Sequence, residues 1–194
     1  MANLYFFYAA MNAGKTTSLL QTDYNYRERG MNTLIFTHSL YTSHSCGVVI
    51  SRIGLEKQAI TYDKDFDFLC YIRSARDVSC VLVDEAQFLT AKQVDQLGEV
   101  VDSLNIPVLT YGLRTDFLGN SFEGSSRLLA IADILTELKT VCYCGRKATM
   151  NMRVDKDGNK VEQGEQIDIE KDQYISVCRR HFKHPEELVK KSPI

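Results

Sequence analysis

The feature that most constrains the fold is an apolar run near the start of the chain that leads through a loop of small residues into a helix. Residues 3–10 are apolar at nearly every position, which is typical of a parallel strand buried on both faces of a sheet. From residue 15 to residue 29 the spacing of apolar side chains predicts a helix, and Gly30 is placed to end it. Because parallel strands need crossover connections, this unit predicts an α/β fold.

Strands and helices continue to alternate along the chain. Apolar runs predict strands at residues 33–38, 58–62, 80–83, 107–111 and 134–138, the last of them buried. Helical spacing occurs at residues 66–73, 90–104 and 126–132. This alternation predicts a doubly wound parallel sheet.

The composition changes at Val141, where cysteines begin to cluster. A chain of 194 residues allows one medium domain with a small appendage. We therefore predict an α/β domain over residues 1–140 and a smaller lobe over residues 141–194. Within this lobe, the sequence DKDGN at residues 155–159 predicts the turn of a hairpin between strands at residues 150–154 and 160–169.

The loop after the first strand carries a phosphate-binding pattern. It consists of Ala9, Ala10, Met11, Asn12, Ala13, Gly14, Lys15 and Thr16, and matches GxxxxGK[ST] except that alanine replaces the first glycine. Gly14 would let the backbone approach a phosphate, Lys15 would reach the β- and γ-phosphates, and Thr16 would offer its hydroxyl to Mg²⁺. A GK[ST] triplet alone arises by chance in roughly one chain in ten of this length. Its place between a buried strand and a helix favours a phosphate-binding loop.

A second motif, VLVDEAQ at residues 81–87, places acidic residues at the end of a buried strand. Nucleotide enzymes hold Mg²⁺ with a carboxylate in this position, which is Asp84 here. Glu85 is predicted to accept a proton from an attacking hydroxyl or water, and Ala86 and Gln87 complete the nucleotide-binding segment. A solvated acidic loop is the alternative interpretation. Together the two motifs predict binding of ATP with Mg²⁺.

The cysteines near the C-terminus have the spacing of metal ligands. Cys142 and Cys144 form a CxC pair, and Cys178 and His181 form a CxxH pair. Three thiolates and one imidazole suit a closed tetrahedral zinc site, which would be structural because no coordination position stays open. The alternatives are His184 as the fourth ligand, or three buried thiols with a surface histidine.

Charge and hydropathy exclude several classes of protein. The net charge of −2 disfavours general nucleic-acid binding, which requires a basic face. The longest apolar runs are far shorter than the roughly 20 residues that span a bilayer. The first residues also lack the basic start of a signal peptide, so we expect a cytoplasmic protein without membrane or nucleic-acid partners.

Six segments together resemble the cytosolic, zinc-containing thymidine kinases of type II, and most closely their bacterial branch. They read YAAMNAGKTTSLLQ, YNYRERGM, VSCVLVDEAQFLT, IPVLTYGLRTDF, CYCGRKA and YISVCRRH. The resemblance implies a RecA-like P-loop domain with a small C-terminal zinc lobe. It also implies phosphorylation of the 5'-hydroxyl of thymidine or deoxyuridine by Mg-ATP, in nucleotide salvage for DNA synthesis. A homotetramer and inhibition by thymidine triphosphate are implied as well.

The resemblance also assigns roles to individual residues. It implies that residues 9–16 hold the donor phosphates, that Thr16 and Asp84 organise Mg²⁺, and that Glu85 is the catalytic base. The nucleoside would lie against a loop formed by Gln166, Ile167, Asp168, Ile169 and Glu170, between walls formed by Phe88, Leu113, Phe117 and Tyr174. Relatives commonly have a pair of glycines after the equivalent of Ile169, where this chain has Glu170 and Lys171.

Two other classes of function are compatible with the motifs. In a P-loop ATPase or switch acting on a macromolecule, Glu85 would activate water and the zinc lobe would bind the partner. In a nucleotide-binding regulatory protein without useful turnover, Glu85 would be replaceable. The negative net charge of the chain disfavours the first of these. An activity assay separates both of them from the kinase.

Overall fold

The computed structural model describes residues 1–41, 47–164, 166 and 173–187. The strands are β1 (Leu4–Ala9), β2 (Asn32–His38), β3 (Val48–Ile50), β4 (Glu56–Gln58), β5 (Ile60–Tyr62), β6 (Val78–Val83), β7 (Val108–Leu113), β8 (Ile134–Glu137), β9 (Thr140–Val141), β10 (Lys147–Ala148), β11 (Met150–Val154) and β12 (Gln173–Val177). The helices are α1 (Lys15–Arg27), α2 (Phe68–Ser74), α3 (Ala91–Leu104), α4 (Glu123–Ile131) and α5 (Arg179–Lys183). Single turns of 3-10 helix occur at Ser39–Tyr41, Ala86–Phe88 and Pro185–Glu187.

Two compact units can be distinguished. The first comprises Met1–Tyr8, Gly14–Arg114 and Phe122–Leu138, and the second comprises Ala9–Ala13, Thr115–Ser121 and Lys139–Ile194. The first half of the predicted phosphate loop therefore belongs to the second unit, although the chain is continuous through Gly14.

The first unit is built on a parallel six-stranded sheet with the strand order β5-β2-β6-β7-β1-β8. Its middle strands are apolar because helices cover both faces, and Phe6, Val81 and Val83 are fully buried. The predicted α/β class is thus confirmed. The carboxyl ends of β1 and β6 lead into the two predicted nucleotide-binding motifs.

Helix α3 shows how local sequence sets an element of this unit. Thr90 caps its N-terminus by accepting a hydrogen bond from the backbone N–H of Gln93, and the Gln93 side chain accepts one from the Thr90 backbone in return. Val94 and Leu97, on the apolar stripe of the helix, are buried in the core beneath the sheet. In the part of the chain that the structure describes, no helix has the length and hydropathy needed to cross a membrane.

Two strand predictions for this unit are wrong in detail. The expected strand at residues 58–62 is divided into β4, which pairs with β3, and β5, which joins the main sheet. The expected buried strand at residues 134–138 is β8, which lies at the sheet edge with Ile134 and Leu135 exposed by 37% and 46%. An edge strand lacks a neighbour on one side, and its apolar composition does not reveal this.

Among its described residues, the second unit contains two antiparallel strand pairs, β9 with β10 and β11 with β12. The predicted turn at residues 155–159 forms, since the backbone N–H of Asp155 donates to the carbonyl of Asn159 at 3.0 Å. The predicted hairpin partner is wrong, because β11 pairs with β12 instead of a strand at residues 160–169. Across the turn, the described residues show an isolated bridge between Lys160 and Val154 and a hydrogen bond from the Val161 N–H to the Arg153 carbonyl at 2.9 Å, while residues 165 and 167–169 lie outside the described part of the chain.

Candidate active site and metal centre

The loop between β1 and α1 has the backbone geometry of an anion cradle. Asn12 and Gly14 both adopt positive φ, at 61° and 76°. Gly14 directly precedes the helix, whose first turn contains no acidic residue. The N–H groups of the first turn and the positive end of the helix dipole can therefore attract an anion at this end of α1.

Lys15 lies in a group of charged side chains. Burial lowers the pKa of its ammonium, and the carboxylates of Glu85 and Asp84 oppose that shift. The Arg52 guanidinium acts in the same direction as burial. A bound polyphosphate would add negative charge next to Lys15 and so favour its charged form.

Asp84 follows β6 and is buried. Its Oδ2 accepts a hydrogen bond from the Thr16 hydroxyl at 3.0 Å, and its Oδ1 accepts one from the Glu85 backbone N–H at 3.1 Å. Burial, reinforced by the neighbouring Glu85 charge, raises the pKa of Asp84 to about 7, against the opposing effects of Thr16 and Lys15. A divalent cation between Thr16 and Asp84 would favour the ionised carboxylate, and hard oxygen ligands of this kind suit Mg²⁺.

Glu85 adopts a left-handed backbone conformation, with φ 54° and ψ 37°. This conformation is uncommon for a residue with a side chain and has to be stabilised by its surroundings. The buried Tyr62 hydroxyl donates to the Glu85 carbonyl at 2.9 Å and lies 3.2 Å from the Asp84 carbonyl. The two adjacent carboxylates consequently have different partners, because the Glu85 side chain bonds to Gln87 and not to Thr16.

Gln87 is a fully buried bridge between Glu85 and the end of β7. Its Nε2 donates to the Glu85 carboxylate at 2.5 Å, and its Oε1 accepts from the backbone N–H of Leu113 at 2.9 Å. A side chain at Gly112 would place its Cβ 2.9 Å from the Gln87 backbone nitrogen and 3.0 Å from Oε1. Glycine at position 112 is therefore required for this approach.

Gly112→Ala is expected to lower the turnover number by at least about 10-fold, because the added Cβ would displace the Gln87 side chain that holds the Glu85 carboxylate. Gly98→Ala is the matched control, since a Cβ there would meet only the Ile131 methyl at an ordinary 3.8 Å. We expect this helical substitution to leave kcat unchanged and to stabilise the fold by about 0.5–1 kcal/mol. Steady-state kinetics and thermal melting of both variants provide the test, and a wild-type kcat for Gly112→Ala would contradict it.

The predicted metal ligands come together in the second unit. Cys142 and Cys144 lie in the turn between β9 and β10, Cys178 lies between β12 and α5, and His181 lies on α5. One potential ligand atom from each residue lies within 4.8 Å of all the others. His184 instead lies 3.3 Å from the Glu186 carboxylate and is exposed.

The geometry of this cluster fits a tetrahedral metal. Zinc–sulfur bonds of about 2.3 Å at the tetrahedral angle place two sulfurs about 3.8 Å apart. The Cys144 and Cys178 sulfurs are 3.9 Å apart, and the Cys142 sulfur lies 3.2 Å from Nδ1 of His181. A Cys3His donor set of these dimensions can hold a metal ion.

Two of the predicted nucleoside-wall residues lie in the first unit. The Phe88 ring packs against His38 and Phe122, with centroid distances of 5.1 and 5.7 Å. Leu113 ends β7, and its backbone N–H is bonded to Gln87. Both side chains are half-buried.

The other predicted nucleoside-binding residues lie in the second unit. Phe117 is buried, and the Arg153 guanidinium lies 5.0 Å from the centroid of its ring. Tyr174 is half-buried on β12, directly opposite Arg153 on β11. Gln166 donates from Nε2 to the Asp116 carboxylate at 3.0 Å. Ile167, Asp168, Ile169 and Glu170 lie outside the described residues.

Sequence reasoning missed three residues that shape the site. Tyr62 holds the backbone of both acidic residues, and Asn151 and Ser176 hold the backbone of Met11. A buried asparagine within an apolar strand was a detectable signal, because asparagine is depleted in strands and needs hydrogen-bond partners there. The partners themselves are distant in sequence and were not predictable from it.

Comparison with known proteins gives a consistent assignment. A family model described as thymidine kinase matches residues 2–182. The chain belongs to the thymidine kinase family. It is 56% identical over 187 residues to the thymidine kinase of Rhodopirellula baltica, covering 94% of this chain and 89% of that protein.

Two further thymidine kinases show similar agreement. That of Legionella pneumophila (strain Lens) is 55% identical over 191 residues, covering 96% of this chain and 91% of the relative. That of Vibrio cholerae is 55% identical over 187 residues, covering 94% of this chain and 97% of the relative. The resemblance to bacterial thymidine kinases seen in the sequence is thus confirmed.

Proposed function

We propose that the chain transfers the γ-phosphate of Mg-ATP to the 5'-hydroxyl of thymidine or deoxyuridine, giving the monophosphate for nucleotide salvage and DNA synthesis. The observation that carries the proposal is the arrangement of Glu85, whose carboxylate is held by Gln87 next to the bonded pair of Thr16 and Asp84. Membership of the thymidine kinase family supports this substrate assignment.

The donor side of the reaction relies on charge and position. Backbone N–H groups of the loop at residues 9–16, other than that of Met11, which donates to Asn151, would bind the phosphate oxygens, and Lys15 would offset their charge. Thr16 and Asp84 would hold Mg²⁺, which supplies electrostatic stabilisation to the transferring phosphoryl group when bound. The buried position of Asp84 strengthens these electrostatic interactions because the local dielectric is low.

Glu85 would act on the acceptor side. Its carboxylate would accept the proton of the 5'-hydroxyl as the oxygen attacks the γ-phosphorus. Ala86 is fully buried and Gln87 bonds to the carboxylate, so this segment fixes the orientation of the base. Catalysis of this kind depends mostly on positioning.

For the nucleoside, we propose aromatic and aliphatic walls formed by Phe88, Leu113, Phe117 and Tyr174. An uncharged pyrimidine nucleoside packs well against such side chains. Backbone groups of residues 166–170 would read the edge of the base. Glu170 and Lys171 stand where relatives commonly have two glycines, and they give this loop a different backbone preference.

The remaining proposals concern organisation and regulation. Residues 1–140 would form the nucleotide-binding domain, and residues 141–194 a lobe stabilised by structural Zn²⁺ bound to the Cys3His cluster. We propose a homotetramer that is inhibited by thymidine triphosphate, as the family resemblance implies. The thiol ligands require a reducing compartment, which supports a cytoplasmic location.

The proposal is tested by measuring ADP formation from Mg-ATP with thymidine, with deoxycytidine and without an acceptor. Thymidine-dependent turnover with formation of thymidine monophosphate is the expected result. Turnover that is independent of an acceptor would instead indicate an ATPase. Binding of ATP without turnover would indicate a regulatory protein.

A further inference from the structure

One residue of the phosphate loop has both of its backbone polar groups held by side chains of the second unit. The N–H of Met11 donates to Oδ1 of Asn151 at 2.7 Å, and the carbonyl of Met11 accepts from the Ser176 hydroxyl at 2.6 Å. Asn151 and Ser176 are directly opposite each other on the antiparallel strands β11 and β12. A single cross-strand pair thus holds Met11 on both sides.

The two side chains that make these hydrogen bonds are largely buried, while the bonds themselves are part-buried. Asn151 and Ser176 are 3% and 9% exposed. A largely buried polar side chain that loses its partner is energetically costly, so each of these bonds favours one orientation of the Met11 peptide groups. Thr140 adds a longer contact, 3.4 Å from its hydroxyl to the carbonyl of Asn12.

The Asn151 amide has a second contact that matters for its role. Its Nδ2 donates to the carbonyl of Thr115 at 3.0 Å. Thr115 begins the segment Thr115–Ser121, which contains the proposed nucleoside-wall residue Phe117. One side chain therefore bonds both to the loop proposed for the donor phosphates and to the segment proposed for the acceptor.

We propose that Asn151 and Ser176 are positioning residues that set the backbone of the first half of the phosphate loop, so that affinity for ATP depends on the β11–β12 pair. The inference rests on the proposed binding of ATP by residues 9–16. Without the bonds to Asn151 and Ser176, the peptide groups around Met11 would adopt several orientations. Ordering them again on binding would lower the affinity for the nucleotide.

A purely structural role makes a different prediction. If the two side chains only stabilised the second unit, their loss would lower the melting temperature and weaken the binding of both substrates equally. A positioning role instead weakens the binding of ATP selectively in the Ser176 variant, since the Ser176 hydroxyl bonds to Met11 of the donor loop and makes no other side-chain hydrogen bond among the described contacts. In the Asn151 variant the binding of both substrates is weakened, because the Thr115 contact is also lost. The binding of ATP is still weakened more than that of thymidine.

The experiment measures binding of Mg²⁺ with β,γ-imido-ATP by calorimetry, and KM for ATP and for thymidine, in the full chain. The variants are Asn151→Ala, Ser176→Ala and Ser176→Thr, which keeps the hydroxyl. Asn159→Ala is the matched control, because Asn159 lies in the exposed turn of the same unit and bonds only to Asp155 in the described contacts.

We expect Asn151→Ala and Ser176→Ala each to raise the Kd for the nucleotide by about 10-fold, the effect expected from losing the one hydrogen bond that each side chain makes to Met11. Ser176→Thr should recover most of the affinity, and Asn159→Ala should match the wild type. Wild-type Kd values in both alanine variants, or equal increases in both KM values, would overturn the inference. Failure of the wild-type protein itself to bind the nucleotide would overturn the proposed function together with this inference.

Discussion

Glu85→Gln is expected to lower kcat by about 100-fold or more while the affinity for Mg-ATP stays close to that of the wild type. The amide has the size of the carboxylate, and its oxygen still accepts the hydrogen bond from Gln87. It does not take up the proton of the attacking hydroxyl, so the loss falls on the chemical step. Steady-state kinetics with thymidine and calorimetry with a non-hydrolysable ATP analogue separate the two effects.

The control for this variant is Glu99→Gln. Glu99 is exposed on α3, and its carboxylate accepts a hydrogen bond from Ser103 within the same helix. We expect wild-type kcat and nearly wild-type stability, since this pair is local to one helix. A fully active Glu85→Gln protein would disprove the assignment of Glu85 as the base. A protein that lost nucleotide binding would point instead to disruption of the neighbouring Asp84.

The elements nearest the phosphates were the most predictable from sequence. Strand β1, the loop and helix α1 follow one another in the chain, and each has a strong local signal in apolar runs, glycine placement or helical spacing. The same holds for β6 and the two acidic residues that follow it. The edge position of β8 was not predicted, because the local sequence of so short a strand does not show whether a neighbour lies on both of its sides.

Long-range pairing limited the prediction of the site. The turn at residues 155–159 has a clear local signal, yet β11 pairs with β12 across a longer stretch of chain. The contacts of Asn151 and Ser176 with Met11 depend on that pairing. The left-handed conformation of Glu85 likewise depends on Tyr62, which belongs to another strand. These features come from tertiary structure and leave little trace in local composition.

Cys178→Ser is expected to abolish stoichiometric zinc binding and to lower the melting temperature of the protein. A structural zinc site contributes roughly 10 kcal/mol of apparent binding free energy, which is coupled to folding. Loss of even about 3 kcal/mol from a domain of this size would lower the melting temperature by about 6–12 °C. Elemental analysis of the purified protein and calorimetric melting measure the two quantities.

The matched control is Cys70→Ser, which removes an exposed thiol on α2 in the first unit. We expect this variant to keep its zinc content and its melting temperature. An unchanged zinc content in Cys178→Ser would show that the Cys3His cluster is not the zinc site. Unchanged melting behaviour despite zinc loss would show that the metal does not stabilise the lobe.

The zinc variant also has a consequence for nucleotide binding. Cys178 lies two residues after Ser176, so loss of the metal at the end of β12 loosens the strand that holds Met11. We therefore expect Cys178→Ser to raise the Kd for the ATP analogue at least as much as Ser176→Ala does, about 10-fold. Ser176→Ala should raise that Kd while zinc content stays at the wild-type level. These results would show that the position of β12 depends on the bound metal, and that the conformation of the phosphate loop depends on β12.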